Sequence, residues 1–287
     1  MYLKEFVFPS ADTEFDFILS VKRTCYDSYY PFQVLGKAEA IKLEFEPITF
    51  LYGGNGSGKS TALNVISEKL GLARDTLFNT NAFFDDYVKL CFCDTAPEKP
   101  RDCRIITSDD VFDYVLNMRM LNEGISERRE ELFEDYLDTK YASFRLESIA
   151  DYEQLRKVNL ARRTTQSKYV RRNLMLHARE HSNGESAIKY FTEKIGEGGL
   201  YLLDEPENSL SPEKQLELMQ FIEDSVRFFD CQFVIATHSP FLLSLRGAKI
   251  YDLDEDLAAV KKWSELANVR TYFDFFMSRA AAFGDKS

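Results

Sequence analysis

Hydrophobic residues change their spacing along this chain, and each change marks an element. Alternation of apolar and polar positions in Phe15-Asp16-Phe17-Ile18-Leu19 and in Ile41-Lys42-Leu43-Glu44-Phe45 predicts two short antiparallel strands. Ile48-Thr49-Phe50-Leu51-Tyr52 is a continuous apolar run, suited to a strand buried on both faces. Helical spacing follows at Leu63, Ile66 and Leu70, and Gly71 is placed to stop that helix. Farther on, Leu200 to Leu203 and Gln232 to Thr237 read as strands around a helix from Pro212 to about Arg227. Ser211 caps that helix, Pro212 takes its first position, and Leu216, Met219, Ile222 and Val226 form its expected buried stripe. Strands alternating with helices imply a parallel sheet.

The middle of the chain has another texture. Acidic residues dominate from Glu123 to Glu153, whereas Arg156 to Arg179 carries eight basic residues and no acid. This predicts a helical insertion over 111–181 inside a single domain spanning 1–287, either a solvated face or a surface for phosphates or an acidic partner. No sustained heptad run suggests a long coiled coil.

Composition narrows the class. With 287 residues, 45 % hydrophobic and 29 % charged, the chain can bury a substantial core. Its net charge of −11 argues against a uniformly basic nucleic-acid binder, so any such contact would be confined to one patch, 156–179 being the candidate. No run approaches the roughly 20 apolar residues of a membrane span, and a cytoplasmic protein without membrane contact is expected. Cys25, Cys91, Cys93, Cys103 and Cys231 are too sparse for a disulfide framework. Cys91, Cys93 and Cys103 could supply three metal thiolates, but no fourth ligand is near and buried strand cysteines are the simpler reading.

Chemistry concentrates at three strand ends. Gly53-Gly54-Asn55-Gly56-Ser57-Gly58-Lys59-Ser60 matches G-x-x-x-x-G-K-[ST] between a predicted buried strand and a predicted helix. Such a loop turns backbone N–H groups toward a triphosphate; Lys59 reaches the terminal phosphates, Ser60 can ligate Mg²⁺, and Thr61 continues the helix start. Asp204, ending the run Leu202-Leu203, is placed to hold the same metal. Glu205 projects elsewhere, toward a water that could attack the γ-phosphate. His238 ends the next apolar strand and could hydrogen-bond that phosphate, so the three ends converge at the carboxyl edge of the sheet. Lys59, Glu205 and His238 are the candidate catalytic residues, and ATP with Mg²⁺ the candidate ligands.

These motifs, together with Ser182-Asn183-Gly184-Glu185, Ser209-Leu210-Ser211-Pro212 and the Thr237-His238-Ser239-Pro240 strand end, resemble an ABC-type ATPase domain of the soluble, SMC-like kind. More narrowly, the chain is similar to small stand-alone AAA-family ATPases with an S-x-G-E signature and an ATHSP switch. The resemblance implies an α/β P-loop NTPase of ABC-ATPase type, with a mixed sheet, an N-terminal antiparallel part and a helical insertion. It also implies that two copies close head to tail around ATP. Ser182 and Gly184 would then contact the γ-phosphate held by the other copy, Glu185 would support the turn, and Glu207 to Ser211 would be the loop crossing the interface. By itself Ser182-Asn183-Gly184-Glu185 also reads as an ordinary helix cap.

The pattern departs from that family at one place. The glutamine expected after the strand that follows the P-loop helix is missing from Ile105-Ile106-Thr107-Ser108-Asp109-Asp110, where either Asp109 or Ser108 substitutes as oxygen ligand or the acids form a solvent-exposed turn. Tyr29, Tyr30 and Phe32 could stack on a base or pack in the core. The apolar Tyr272 to Met277 could dock a partner, although packing on its own core is the simpler expectation. The implied activity is ATP hydrolysis coupled to a protein effector; the alternative is a nucleotide-gated sensor or scaffold in anti-phage (antiviral) defence or DNA repair.

Overall fold

A computed structural model describes residues 1–22, 26, 28–141, 158, 161, 163, 165, 166, 170, 183–255 and 258–283. The chain divides into two compact units, Met1–Phe112 with Asn183–Ser287, and Asp113–Ser182.

A six-stranded sheet organises the first unit, in the order β5 (Asp102–Thr107), β6 (Gly199–Asp204), β7 (Gln232–Ala236), β3 (Ile48–Tyr52), β8 (Lys249–Asp252), β9 (Ala259–Val260). Its first five strands are parallel, and only β9 runs antiparallel to β8. Every residue of β3 and β7 is buried, which is why both read as unbroken apolar runs in the sequence. The helix α2 (Lys59–Leu70) lies on β5, β6 and β7 with Ala62, Leu63, Val65 and Ile66 buried, and Gly71 ends it in the left-handed conformation.

A second, three-stranded antiparallel sheet joins β2 (Lys42–Glu44), β1 (Leu3–Val7) and β4 (Phe92–Thr95). Buried Gln232 pins it to the start of β7: its Oε1 accepts from the N–H groups of Tyr2 (2.7 Å) and Leu3 (2.8 Å), and its Nε2 donates to the Leu3 carbonyl (2.7 Å). A buried amide satisfied on both ends costs little and fixes the register of the two sheets. The architecture is α/β, a mixed sheet accompanied by an antiparallel one, as expected.

Two sequence expectations fail here. Phe15 to Leu19 is not a strand but lies in helix α1 (Ala11–Ser20). Ser10 Oγ caps it by accepting from Thr13 N–H, and Asp12 and Glu14 favour the helix dipole in the first turn. The face that packs is Glu14, Phe17, Ile18 and Val21, a helical spacing, while Phe15 and Leu19 are 59 % and 68 % exposed. In helix α6 (Pro212–Phe229) the cap and the leading proline are as expected, but Leu216 is 45 % exposed and the buried positions are Leu218, Ile222 and Ser225.

The remaining helices of the first unit are α3 (Phe84–Leu90), α5 (Asn183–Lys194), α7 (Pro240–Leu243) and α8 (Ala267–Ser278). Helix α4 (Ser108–Tyr141) starts directly after β5 and continues into the second unit, where Val115, Ile125, Leu132 and Tyr136 are buried. Apart from a few residues, the basic segment 156–179 lies outside the described residues. Helix α8 does not bury its apolar segment: Tyr272, Phe273, Phe275, Phe276 and Met277 are each about half exposed, contrary to the expectation that they pack on the core. Among the described residues no helix is long and apolar enough to cross a membrane.

Candidate functional site

The glycine loop leaves β3 at Tyr52 and enters α2 at Lys59. Gly58 must be glycine for two reasons. Its φ is +90°, and a Cβ there would lie 2.6 Å from Leu35 Cδ2. The loop's outer limb is tied to β8's end, where Asp254 Oδ2 accepts from Gly54 N–H at 2.7 Å. Lys59 is buried and folds back over the loop, donating to the carbonyls of Gly53 and Gly54, both at 3.0 Å. Burial pulls its amine pKa down, against the raising influence of Glu205 and Asp204.

The next two residues of α2 reach other elements. Ser60 Oγ donates to Asp204 Oδ1 at 3.0 Å, and Thr61 Oγ1 meets the Tyr30 hydroxyl at 3.2 Å. Val34, Asn55, Gly56, Gly58, Lys59, Ser60, Thr61 and Glu205 line a cavity of about 270 Å³. Burial pushes the Asp204 carboxyl up to about 6; the Ser60 hydrogen bond opposes this and the Glu205 charge adds to it. A carboxylate ionised against such a penalty, with a hydroxyl on one oxygen, is an oxygen donor set that a small divalent cation would relieve. The residues present therefore fit Mg²⁺, which Ser60 and Asp204 would hold.

Glu205 adopts a left-handed backbone (φ 47°, ψ 53°), a strained conformation for a residue with a side chain, and opens the 3₁₀ turn Pro206–Ser209. Its N–H donates to the Ala236 carbonyl at 2.9 Å and its Oε2 accepts from Asn208 Nδ2 at 2.8 Å. Its Oε1 is 3.8 Å from His238 Nε2. Because β7 lies between β6 and β3, the loop that carries His238 falls between those that carry Glu205 and Lys59.

Other expected residues are placed apart. Gly184 and Glu185 open helix α5 and do not line the P-loop cavity; a Cβ on Gly184 would lie 3.3 Å from Lys214 Cγ of α6. Ser182 lies outside the described residues. Asp109 is not brought to Ser60 and Asp204: its side chain is exposed in the first turn of α4 and hydrogen-bonds neither. Asp110 is the buried one, and its Oδ2 accepts from Thr107 N–H (2.6 Å) and Thr107 Oγ1 (2.9 Å) to close the strand end. Phe32 is buried between Phe17 (4.6 Å) and Tyr87 (4.9 Å), and Tyr29 packs on Phe83 (5.0 Å).

Cys91 and Cys93 stand at β4 and Cys103 on β5, in different sheets. Burial raises all three thiols, Cys91 to about 12, away from the thiolate that metal binding requires. Among the described residues no group of three or more His, Cys, Asp or Glu is placed to hold a metal ion.

Sequence reasoning missed Asn268 and Asp254, and placed Glu207 and Asn208 only in the loop expected to cross an interface. The signal for Asp254 was available, as an acid following the apolar strand Lys249–Asp252 beside β3. For Asn268, which donates to the His238 carbonyl from 30 residues downstream, no local pattern exists.

Residues 177–244 match the family model described as "AAA domain, putative AbiEii toxin, Type IV TA system". That stretch holds the signature, the Asp204–Glu205 strand end and the His238 switch, and does not include the glycine loop. No curated protein matches the chain. Among solved structures the chain is similar to an SMC head domain from Thermotoga maritima, at 13 % identity and TM-score 0.38 over 91 % of this chain and 99 % of that one. It is similar to the ATP-binding cassette MJ0796, solved as a dimer in a post-hydrolysis state with ADP and Pi, at 17 % identity and TM-score 0.38 over 79 % and 94 %. A third similar structure is an SMC head bound to the C-winged helix domain of ScpA, at 13 % identity and TM-score 0.39 over 88 % and 94 %.

Proposed function

We propose that this chain binds Mg²⁺-ATP and hydrolyses it, closing head to tail with a second copy to do so and passing the change to a protein effector. The observation that carries the reading is the meeting of Lys59, the Ser60–Asp204 pair, Glu205 and His238 at the ends of three neighbouring parallel strands. Lys59, released from the Gly53 and Gly54 carbonyls, would pair with the terminal phosphates. Ser60 and Asp204 would hold the metal, which when bound neutralises charge on the phosphate oxygens. Glu205 would orient a water and accept its proton, and His238 would hydrogen-bond the γ-phosphate. Gly184, away from the P-loop cavity of its own chain, would in this reading contact the nucleotide of a second copy, with Glu185 supporting the turn.

The decisive variant is Glu205→Gln, which keeps the shape of the side chain and removes its basicity. It should retain ATP binding, lose turnover and accumulate as a dimer in ATP on size-exclusion chromatography. Unchanged hydrolysis in that variant would overturn the reading.

A second reading is favoured by the toxin–antitoxin description of the family that matches 177–244. In it, slow turnover resets a nucleotide-gated sensor or scaffold in anti-phage defence or DNA repair, and the basic segment 156–179 binds nucleic acid or an acidic effector. Salt-dependent binding of single- or double-stranded DNA or RNA that disappears when Arg162, Arg163, Arg171 and Arg172 become alanine would support it. Binding that survives those changes would refute it.

A further inference from the structure

His238 is held by its main chain rather than by its ring. Its N–H donates to Glu207 Oε1 at 2.7 Å, and Ser239 N–H is shared between the same oxygen at 3.1 Å and Thr237 Oγ1 at 3.0 Å. On the other side its carbonyl accepts from Asn268 Nδ2 at 2.7 Å. Glu207 stands in the same 3₁₀ turn that begins after Glu205, and the neighbouring Asn208 donates to Glu205 Oε2. One short turn therefore grips both the Glu205 side chain and the backbone of the switch.

Charge balance does not explain a glutamate at this position. Asp204 and Glu205 already crowd the strand end with negative charge, and Glu207 adds to the field that disfavours an ionised Asp204. Its second oxygen, Oε2, is buried without a hydrogen-bond partner, which is itself costly. What the side chain does provide is one oxygen shared by two consecutive amides, a charge-assisted contact that a shorter side chain from this turn would not span.

We propose that Glu207 is a positioning residue: it locks the Thr237-His238-Ser239-Pro240 switch to the turn bearing Glu205, so that His238 and Glu205 meet in one fixed register. The proposal rests on the ATPase reading of the site. A glutamine at 207 keeps the accepting oxygen and loses the charge, whereas alanine loses both, and the two variants separate a clamp from a purely electrostatic role.

The test measures steady-state ATP hydrolysis and amide-hydrogen exchange in the wild-type chain, Glu207→Ala and Glu207→Gln. In Glu207→Ala, kcat should fall about 100-fold with KM changed less than about threefold, as expected when a reacting pair is misplaced without loss of substrate binding. Exchange at His238 and Ser239 should accelerate in that variant while the β6 amides, which report the fold, stay protected. Glu207→Gln should rescue most of the turnover and the protection. Equal losses in the two variants, or full turnover in Glu207→Ala, would overturn the clamp. A wild-type chain without any turnover would instead refute the ATPase reading; the exchange at His238 and Ser239 would then still report whether Glu207 holds the switch.

Discussion

His238 Nε2 faces Glu205 Oε1 across 3.8 Å, and the nitrogen is buried with no hydrogen-bond partner. That separation is too long for a hydrogen bond and too short for two unrelated groups. About two-thirds of each side chain is covered, and the imidazole nitrogen is left with its bonding capacity unspent. His238→Ala should lower kcat about 100-fold while ATP affinity, read by equilibrium titration, changes by less than about threefold. A variant that turns over ATP at the wild-type rate would remove His238 from the reaction.

Asp204 makes the ligand-free protein pH-sensitive in a direction opposite to most carboxylates. Its folded-state pKa is pushed up to about 6 by burial, above the value of about 3.9 for an unfolded chain. Below about pH 3 both states are protonated and burial costs nothing; as pH rises the unfolded state ionises first, and stability falls until the folded state ionises too, near pH 6. The penalty at neutral pH is then on the order of 3 kcal/mol. Asp204→Asn should accordingly raise the calorimetric midpoint of the ligand-free protein by several degrees near neutral pH and leave it unchanged near about pH 3. Equal gains at both pH values would show that burial of the charge is not the cause.

The closeness of Gly58 to Leu35 gives a second stability prediction. Gly58→Ala must place a Cβ at φ +90° and 2.6 Å from Leu35 Cδ2. Left-handed strain of about 1–2 kcal/mol and overpacking of about 1–3 kcal/mol put the cost at roughly 2–5 kcal/mol in urea unfolding. In a Leu35→Ala background the overpacking part should vanish and the backbone part remain, so the two changes will be non-additive.

Which features could be read from sequence follows from how each is encoded. Strands β3, β6 and β7 are buried on both faces, so they appear as uninterrupted apolar runs, and the groups at their ends announce themselves as a glycine loop, paired acids and a histidine. Helix α1 was hidden because Phe15, Phe17 and Leu19 mimic a strand's alternation although two of the three face solvent; the Ser10 cap was the better signal. Leu216 misled in the same way, an exposed leucine taken as part of a buried stripe. Asp109 and Asp110 could not be ranked without knowing that α4 begins at Ser108, which turns the second acid back onto Thr107. Nor could the role of Glu207 be read, because its partners are backbone groups some 31 residues away and any sequence supplies those.

The placement of β7 between β3 and β6 also sets a ruler. Neighbouring strands are held about 4.8 Å apart by their hydrogen-bond ladders, so the loops at the ends of β3 and β6 are separated by about 10 Å whatever side chains they carry. The gap between the strand ends Tyr52 and Asp204 is therefore specified by main-chain geometry. Substitutions at these positions can change what happens in that gap, but its width belongs to the sheet.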